Sequence, residues 1–315
     1  MSSALLPRVR TCRMASVWLV VVVVAGATLA PSRSALAQRD NESMFVSVLD
    51  SNGAPAPGLA AGDFVVVEDG AEREVLEVRP AVAPMQIAIL VDTSASLTGA
   101  TSDLRRGLET LVERLADGNE LALLTFGGTP RILVESTARL DRLRDGIGRV
   151  FPTSNEAAYL LDALVETARG FERREAPRPV IIAVTGEGLD YSNRDAMQVL
   201  DALKDSGAAA HVVVLQTNRA ARFNTDATGF GPTDDGRERD RLLELGPRES
   251  GGQRRDLAVS SRLDVTLAEL TSVLVSQYEV VYSRPAMLIP PEVITVEMRR
   301  DDLTARGTPV RRTGD

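Results

Sequence analysis

The sequence predicts an α/β protein: a doubly wound, mostly parallel sheet, with flanking β-strand segments that form a small β unit. Three observations carry this. Gln86–Val91 (QIAILV) and Pro179–Thr185 (PVIIAVT) are apolar without interruption, as strands buried on both faces are. Between such runs lie helical stripes, clearest in Leu104, Leu108, Leu111, Val112 and Leu115. Alternation of strand and helix implies a parallel sheet with helices on both faces. At both ends the pattern changes to short β-branched runs bounded by turn residues.

The chain has 315 residues. Its first 37 read as a signal peptide. Arg8, Arg10 and Arg13 precede an apolar run from Ala15 to Ala30, and Ala35-Leu36-Ala37 is an A-x-A cleavage site. The run is short against the roughly 20 residues of a spanning helix. Cleavage removes four arginines (the three above and Arg33) and no acid, taking the net charge from −8 to −12. It also removes the single Cys and the single Trp, which suits an oxidising compartment. The expected location is therefore secreted or periplasmic, with no membrane span after cleavage.

Residues 38–84 form the amino-terminal β segment. Met44–Leu49 and Phe64–Glu68 are strands, Glu72–Val78 a third, with turns at Asp50-Ser51-Asn52-Gly53 and Glu68-Asp69-Gly70. Some 40 residues hold too few strands for a core of their own, so this segment must dock elsewhere. Residues 85–283 form the α/β domain. After Gln86–Val91, helices are expected over Asp103–Leu115, Leu140–Val150, Ala157–Phe171, Arg194–Lys204 and Leu263–Val275. Strands are expected at Glu120–Phe126, Arg131–Glu135, Pro179–Thr185, His211–Leu215 and Tyr278–Tyr282. Residues 217–256 show no buried-strand signal. They read as a mobile loop insertion with a short helix at Asp240–Leu245. Residues 284–315 form a carboxy-terminal β tail, with strands at Val293–Met298 and from Val310. The tail is basic, while residues 38–84 hold nine acids against three arginines. Opposite charge favours their strands coming together.

Composition excludes several classes. With 44% apolar and 25% charged residues the chain is neither disordered nor collagen-like. Its acidic balance argues against a nucleic-acid partner. One Cys and one His exclude disulfide scaffolds and zinc cages. The lone His211 opens an apolar strand, and there is no G-x-S-x-G elbow or phosphate-binding Gly loop. Paired acids such as Asp234-Asp235 read as solvated turns. The chain is not expected to be an enzyme.

The sharpest motif is Asp92-Thr93-Ser94-Ala95-Ser96, D-x-S-x-S, directly after the buried strand Gln86–Val91. Ligands of such sheets bind at the carboxyl ends of strands. One carboxylate and two hydroxyls on a tight loop offer one side of an octahedral site for a hard cation such as Mg²⁺. Few charged ligands leave the ion electrophilic, so a partner's acidic side chain completes its shell. The alternative is local: Asp and Ser cap turn N–H groups without an ion.

Here the chain resembles a von Willebrand factor type A domain and its metal-ion-dependent adhesion site, from about Met85 to Tyr282. The flanks FVVVEDGAEREVLEV (64–78) and SQYEVVY (276–282) resemble a bacterial secreted subfamily best known from Acidobacteria. The resemblance implies a metal set of Asp92, Ser94 and Ser96. It implies two more ligands, and the chain departs at both. The family threonine before Asp162-Ala163 falls on Ala158, leaving Thr153, Ser154 or Asn155 as distant substitutes. The family aspartate falls on Gly186 in Thr185-Gly186-Glu187-Gly188, leaving Glu187 or Asp190 to substitute; Asp190 is taken as the fourth ligand. Two functions follow. One is a secreted protein-binding module that captures a partner at the top of the sheet through this partial site. The other is a structural or assembly component with a degenerate, metal-free scaffold that binds through its β flanks or loop. If the site is live, Mg²⁺ or Mn²⁺ raises the melting temperature and Asp92→Ala abolishes the rise.

Overall fold

The protein is described by a computed structural model over residues 39–216, 234–285, 291 and 293–309. In chain order the first elements are β1 (Arg39–Leu49), β2 (Phe64–Glu68), β3 (Ala71–Arg73), β4 (Val75–Pro80), β5 (Gln86–Val91) and α1 (Thr101–Leu115). Then come β6 (Glu120–Thr125), β7 (Arg131–Thr137), α2 (Leu140–Gly148), α3 (Leu160–Arg173), β8 (Pro179–Gly186) and α4 (Ala196–Ser206). The last are β9 (Ala209–Leu215), α5 (Asp234–Glu249), β10 (Arg254–Leu257), α6 (Leu263–Val275), β11 (Tyr278–Pro285), β12 (Ile294–Met298) and β13 (Thr304–Pro309).

The central sheet has the order β10-β9-β8-β5-β6-β7. All its pairings are parallel except β6 with β7. Side chains of β5 divide by period two between two apolar layers. Ile87, Ile89 and Val91 pack under α1, α2 and α6. Ala88 and Leu90 pack under α3, α4 and α5. Every residue of β8 and β9 is buried, which explains their unbroken apolar sequence. β5 lies between β6 and β8, so the chain leaves it in one direction and returns on the other side. That switch puts a crevice at the carboxyl ends of β5 and β8.

Residues 234–257 correct the expectation of a loop. They form the 16-residue helix α5 and the edge strand β10. Leu242 and Leu243 bury α5 against the α3–α4 layer. β10 pairs with only one neighbour, and its residues alternate between exposed and half-buried, so it has no apolar run to read. Gly251-Gly252 is a close approach rather than a linker. A Cβ on Gly252 would lie 1.9 Å from the Ala210 carbonyl oxygen. Residues 217–233, the signal-peptide segment and the strand expected from Val310 lie outside the described residues. Two boundaries also move. Ala158 is held in bridges to Gly127 and Asp190, so α3 starts at Leu160 instead of Ala157. The strand expected at Glu72–Val78 breaks at Glu74, because β3 pairs with β2 while β4 pairs with β11.

The two ends of the chain meet in two antiparallel sheets, β13-β1-β11-β4 and β12-β2-β3. Their core includes Met44, Val46, Phe64, Val66, Tyr278, Tyr282 and Val296. Phe64 and Tyr278 meet edge to face at 5.9 Å. The Tyr278 hydroxyl donates to Ala56 O at 2.8 Å and that of Tyr282 to Glu68 Oε1 at 3.1 Å. Strand ladders and apolar contact hold the ends together, and opposite charge adds to them: half-buried Arg284 lies 3.7 Å from Glu42 and 3.5 Å from buried Glu68. The ion pair Arg299–Glu72 spans them but is exposed on both sides and contributes little. Buried Arg178 ties this β unit to the α/β layers. It donates to Ala81 O, Ala83 O, Leu274 O and Gln277 Oε1, and lies 4.7 Å from the Phe45 ring centre. Gln277 Nε2 donates in turn to Ser47 Oγ at 2.9 Å.

His211 is 1% exposed, and neither ring nitrogen has a hydrogen-bond partner among the described residues. Burial, with smaller help from Arg306 and Arg255, holds its pKa down to about 3. The unfolded chain takes up this proton near pH 6.5 and the folded chain does not. Stability is therefore retained above that pH and lost as pH falls, by up to about 1.4 kcal/mol per pH unit. Between pH 6 and 4 the denaturation midpoint should fall more steeply for the parent than for His211→Leu; equal slopes would contradict this.

Candidate functional site

Asp92 directly follows β5 and is fully buried. Its Oδ1 accepts the Ser94 N–H at 2.8 Å, an Asx turn that reverses the chain. Its Oδ2 accepts from Ser96 Oγ at 3.1 Å, Thr185 Oγ1 at 3.2 Å and the Gly186 N–H at 3.0 Å. Ser94 Oγ lies 2.9 Å from Ser96 Oγ and caps the 3-10 turn Ala95–Ala100, which leads into α1. The structure thus brings Asp92, Ser94 and Ser96 together.

Asp190, the fourth candidate, is held by hydrogen bonds to other groups. Asp190 is 2% exposed, and its carboxylate faces α3. Oδ2 accepts the Leu160 N–H at 2.6 Å and Oδ1 the Ser192 N–H at 3.0 Å. It satisfies an N–H group at the start of a helix, which has no partner within the helix itself. Burial raises its pKa against these hydrogen bonds. Thr153, Ser154 and Asn155 are exposed. The Thr153 N–H donates to Thr93 O at 2.9 Å and its hydroxyl contacts Phe151 O. Ala158 brings no oxygen, and Glu187 is half-buried with its N–H on Leu215 O.

The donors do not fit a bound metal ion. An ionised carboxylate has about four lone-pair sites, and the chain's own groups donate four hydrogen bonds to Asp92. The Ser96 hydroxyl is turned onto Asp92. The space that an aspartate at position 186 needs is filled, since a Cβ there would lie 2.3 Å from Ser96 Oγ and 2.7 Å from Ser96 Cβ. Among the described residues no group of three or more His, Cys, Asp or Glu is placed to hold a metal.

One residue at this site was missed by the sequence reading. Arg239 on α5 is 4% exposed, and its Nη2 donates to Gly186 O and, at 3.3 Å, to Thr185 Oγ1. Burial lowers its pKa, while the charges of Asp190 and Asp92 raise it. The signal was the spacing Arg239, Leu242, Leu243, which puts all three on one helix face. It carries weight only once residues 234–249 are read as a helix.

Gly186→Ala should cost about 1–3 kcal/mol by overpacking Ser96 and Leu97, read as a lower urea midpoint. An unchanged midpoint would show that this loop yields easily.

Residues 87–188 match the von Willebrand factor type A domain, VWA_2. No curated protein matches the chain. Among solved structures it is similar to the conserved hypothetical protein BatB from Bacteroides thetaiotaomicron, at 15% identity and TM-score 0.43, over 60% of this chain and 98% of that one. It is similar to the vWF domain of the type V pili tip protein Mfa5 from Porphyromonas gingivalis, at 12% identity and TM-score 0.44, over 61% and 95%. A von Willebrand factor type A structure from Catenulispora acidiphila shares 13% identity, with TM-score 0.45, over 86% and 73%. Likeness this distant transfers no residue's role. The match over 87–188 falls on a doubly wound sheet whose β5 leads into D-x-S-x-S, and over that stretch the chain is similar to a von Willebrand factor type A domain.

Proposed function

We propose that the chain is a secreted, non-enzymatic protein-binding module whose type A domain works without a metal ion. The observation that carries this is the Asp92 carboxylate, filled by Ser94, Ser96, Thr185 and Gly186. An ion entering here must first break those bonds, and it gains no second carboxylate from position 186. The scaffold then serves to hold surfaces in place: the loops at the carboxyl ends of the strands and the β unit of the chain ends.

Secretion rests on the charged, apolar and A-x-A segments of residues 1–37. None of the described helices is long and apolar enough to cross a membrane. We read residues 38–84 and 284–315 as β flanks of an 85–283 domain, as in the bacterial secreted subfamily that the EDG and QY…Y segments resemble. In this structure those segments touch, through Tyr282 and Glu68.

The rival reading is Mg²⁺-dependent capture of a partner's carboxylate by Asp92, Ser94, Ser96 and Asp190. It keeps one favourable observation, the clustering of the first three. Affinity capture from the producing cells, washed in parallel with EDTA and with millimolar MgCl₂, separates the two. The same proteins should be retained in both washes. Loss of capture on chelation would refute the metal-free reading.

A further inference from the structure

We infer that Arg239 supplies, from within the chain, the positive charge at the top of the sheet that a bound cation supplies in a metal-holding site. The inference rests on the metal-free reading above. Three observations converge on it. Arg239 is almost fully buried, and a buried guanidinium is retained only where charge and hydrogen bonds compensate its lost hydration. Its Nη2 donates to Thr185 Oγ1 and to the carbonyl oxygen of Gly186, the two residues whose hydroxyl and N–H close over Asp92. The Thr185 hydroxyl in turn donates a hydrogen bond to Asp92 Oδ2 at 3.2 Å, so cation, hydroxyl and carboxylate form one chain.

Among charged groups, Asp190 and Asp92 act on Arg239 most strongly, with Asp240 and the opposing Arg254 weaker. Both stronger partners are buried carboxylates, one from the loop after β5 and one from the loop after β8. A guanidinium stays charged throughout the accessible pH range and does not dissociate. The helix that carries it is fixed at the same end of the sheet. Leu242 and Leu243 are buried beneath it, and Glu238 Oε2 accepts the Ala196 N–H that opens α4 at 2.8 Å. Helix α5 therefore takes over the role of an ion. It neutralises the two acids and holds the β5 and β8 loops in one arrangement, whatever the divalent cation concentration.

A double-mutant cycle tests this in the full mature chain. Asp92→Asn, Arg239→Gln and the double variant are unfolded in urea with EDTA, and the parent also with millimolar MnCl₂. Each single change removes the charge at one end of the Arg239–Thr185–Asp92 chain of hydrogen bonds. Multiplying the two single effects on the unfolding constant should therefore overstate the double variant's loss by at least tenfold. Effects that simply multiply, with no response of the parent to Mn²⁺, would overturn the assignment of Arg239 alone. A higher midpoint of the parent in Mn²⁺ would overturn the metal-free reading and this inference with it. If Asp92→Asn does not fold, Arg239→Lys replaces it. Lys should keep a higher midpoint than Gln, and equal midpoints would overturn the inference.

Discussion

A charge taken out of water must find its partners inside the protein, and Asp92 imposes that requirement at the centre of the fold. It sits at the carboxyl end of β5, where the sheet changes winding direction and water is excluded. Four donors converge on it, two from the loop after β5 and two from the end of β8. Meeting them fixes the Asx turn at Ser94, the closure of Ser96 over the site and the position of the β8 end. Gly186 has no side chain because Ser96 occupies that space. The geometry that satisfies the carboxylate also fills the space that a side chain at position 186 would take.

The same requirement organises the other end of the molecule. Arg178 precedes β8 at its amino end and is buried, which pulls its pKa down to about 10. Carbonyl oxygens of the segment after β4 and of α6, with Gln277, surround it. Glu68 is buried beside Tyr282, Arg73 and Arg284. Removing one member of such a set leaves another uncompensated, so these groups fix the arrangement more than they add stability. They join the β flanks to the α/β layers where apolar packing alone would permit several placements.

Much of the fold was legible because burial leaves a periodic trace. Gln86–Val91, Phe64–Glu68 and Leu263–Val275 match their expected limits, since each is long and apolar on its buried faces. β10 was invisible, because an edge strand of Arg254-Arg255-Asp256-Leu257 needs only its ladder to β9. α5 was half-visible, because two leucines, an arginine and an internal Pro247 carry its buried face in place of a full apolar stripe. Of the candidate site, Asp92, Ser94 and Ser96 were legible as neighbours on one tight loop. Asp190 was chosen for its carboxylate and its place after β8. Its orientation toward Leu160 depends on where α3 begins, which propensity does not determine to within three residues.

The sequence by itself determined the doubly wound α/β class, the D-x-S-x-S loop at the end of the first central strand and the absence of a family aspartate at Gly186. These follow from local chemistry and from apolar periodicity along one stretch of chain. Only the tertiary structure decided that Ser96 occupies the space beside Gly186 and that Arg239 reaches its carbonyl oxygen. Arg239 lies 53 residues from Gly186 in sequence and joins it only because α5 packs on α4 and β9. A buried arginine bonded to the carbonyl oxygen at the end of β8 is a fact of three-dimensional proximity, and one-dimensional spacing holds no record of it.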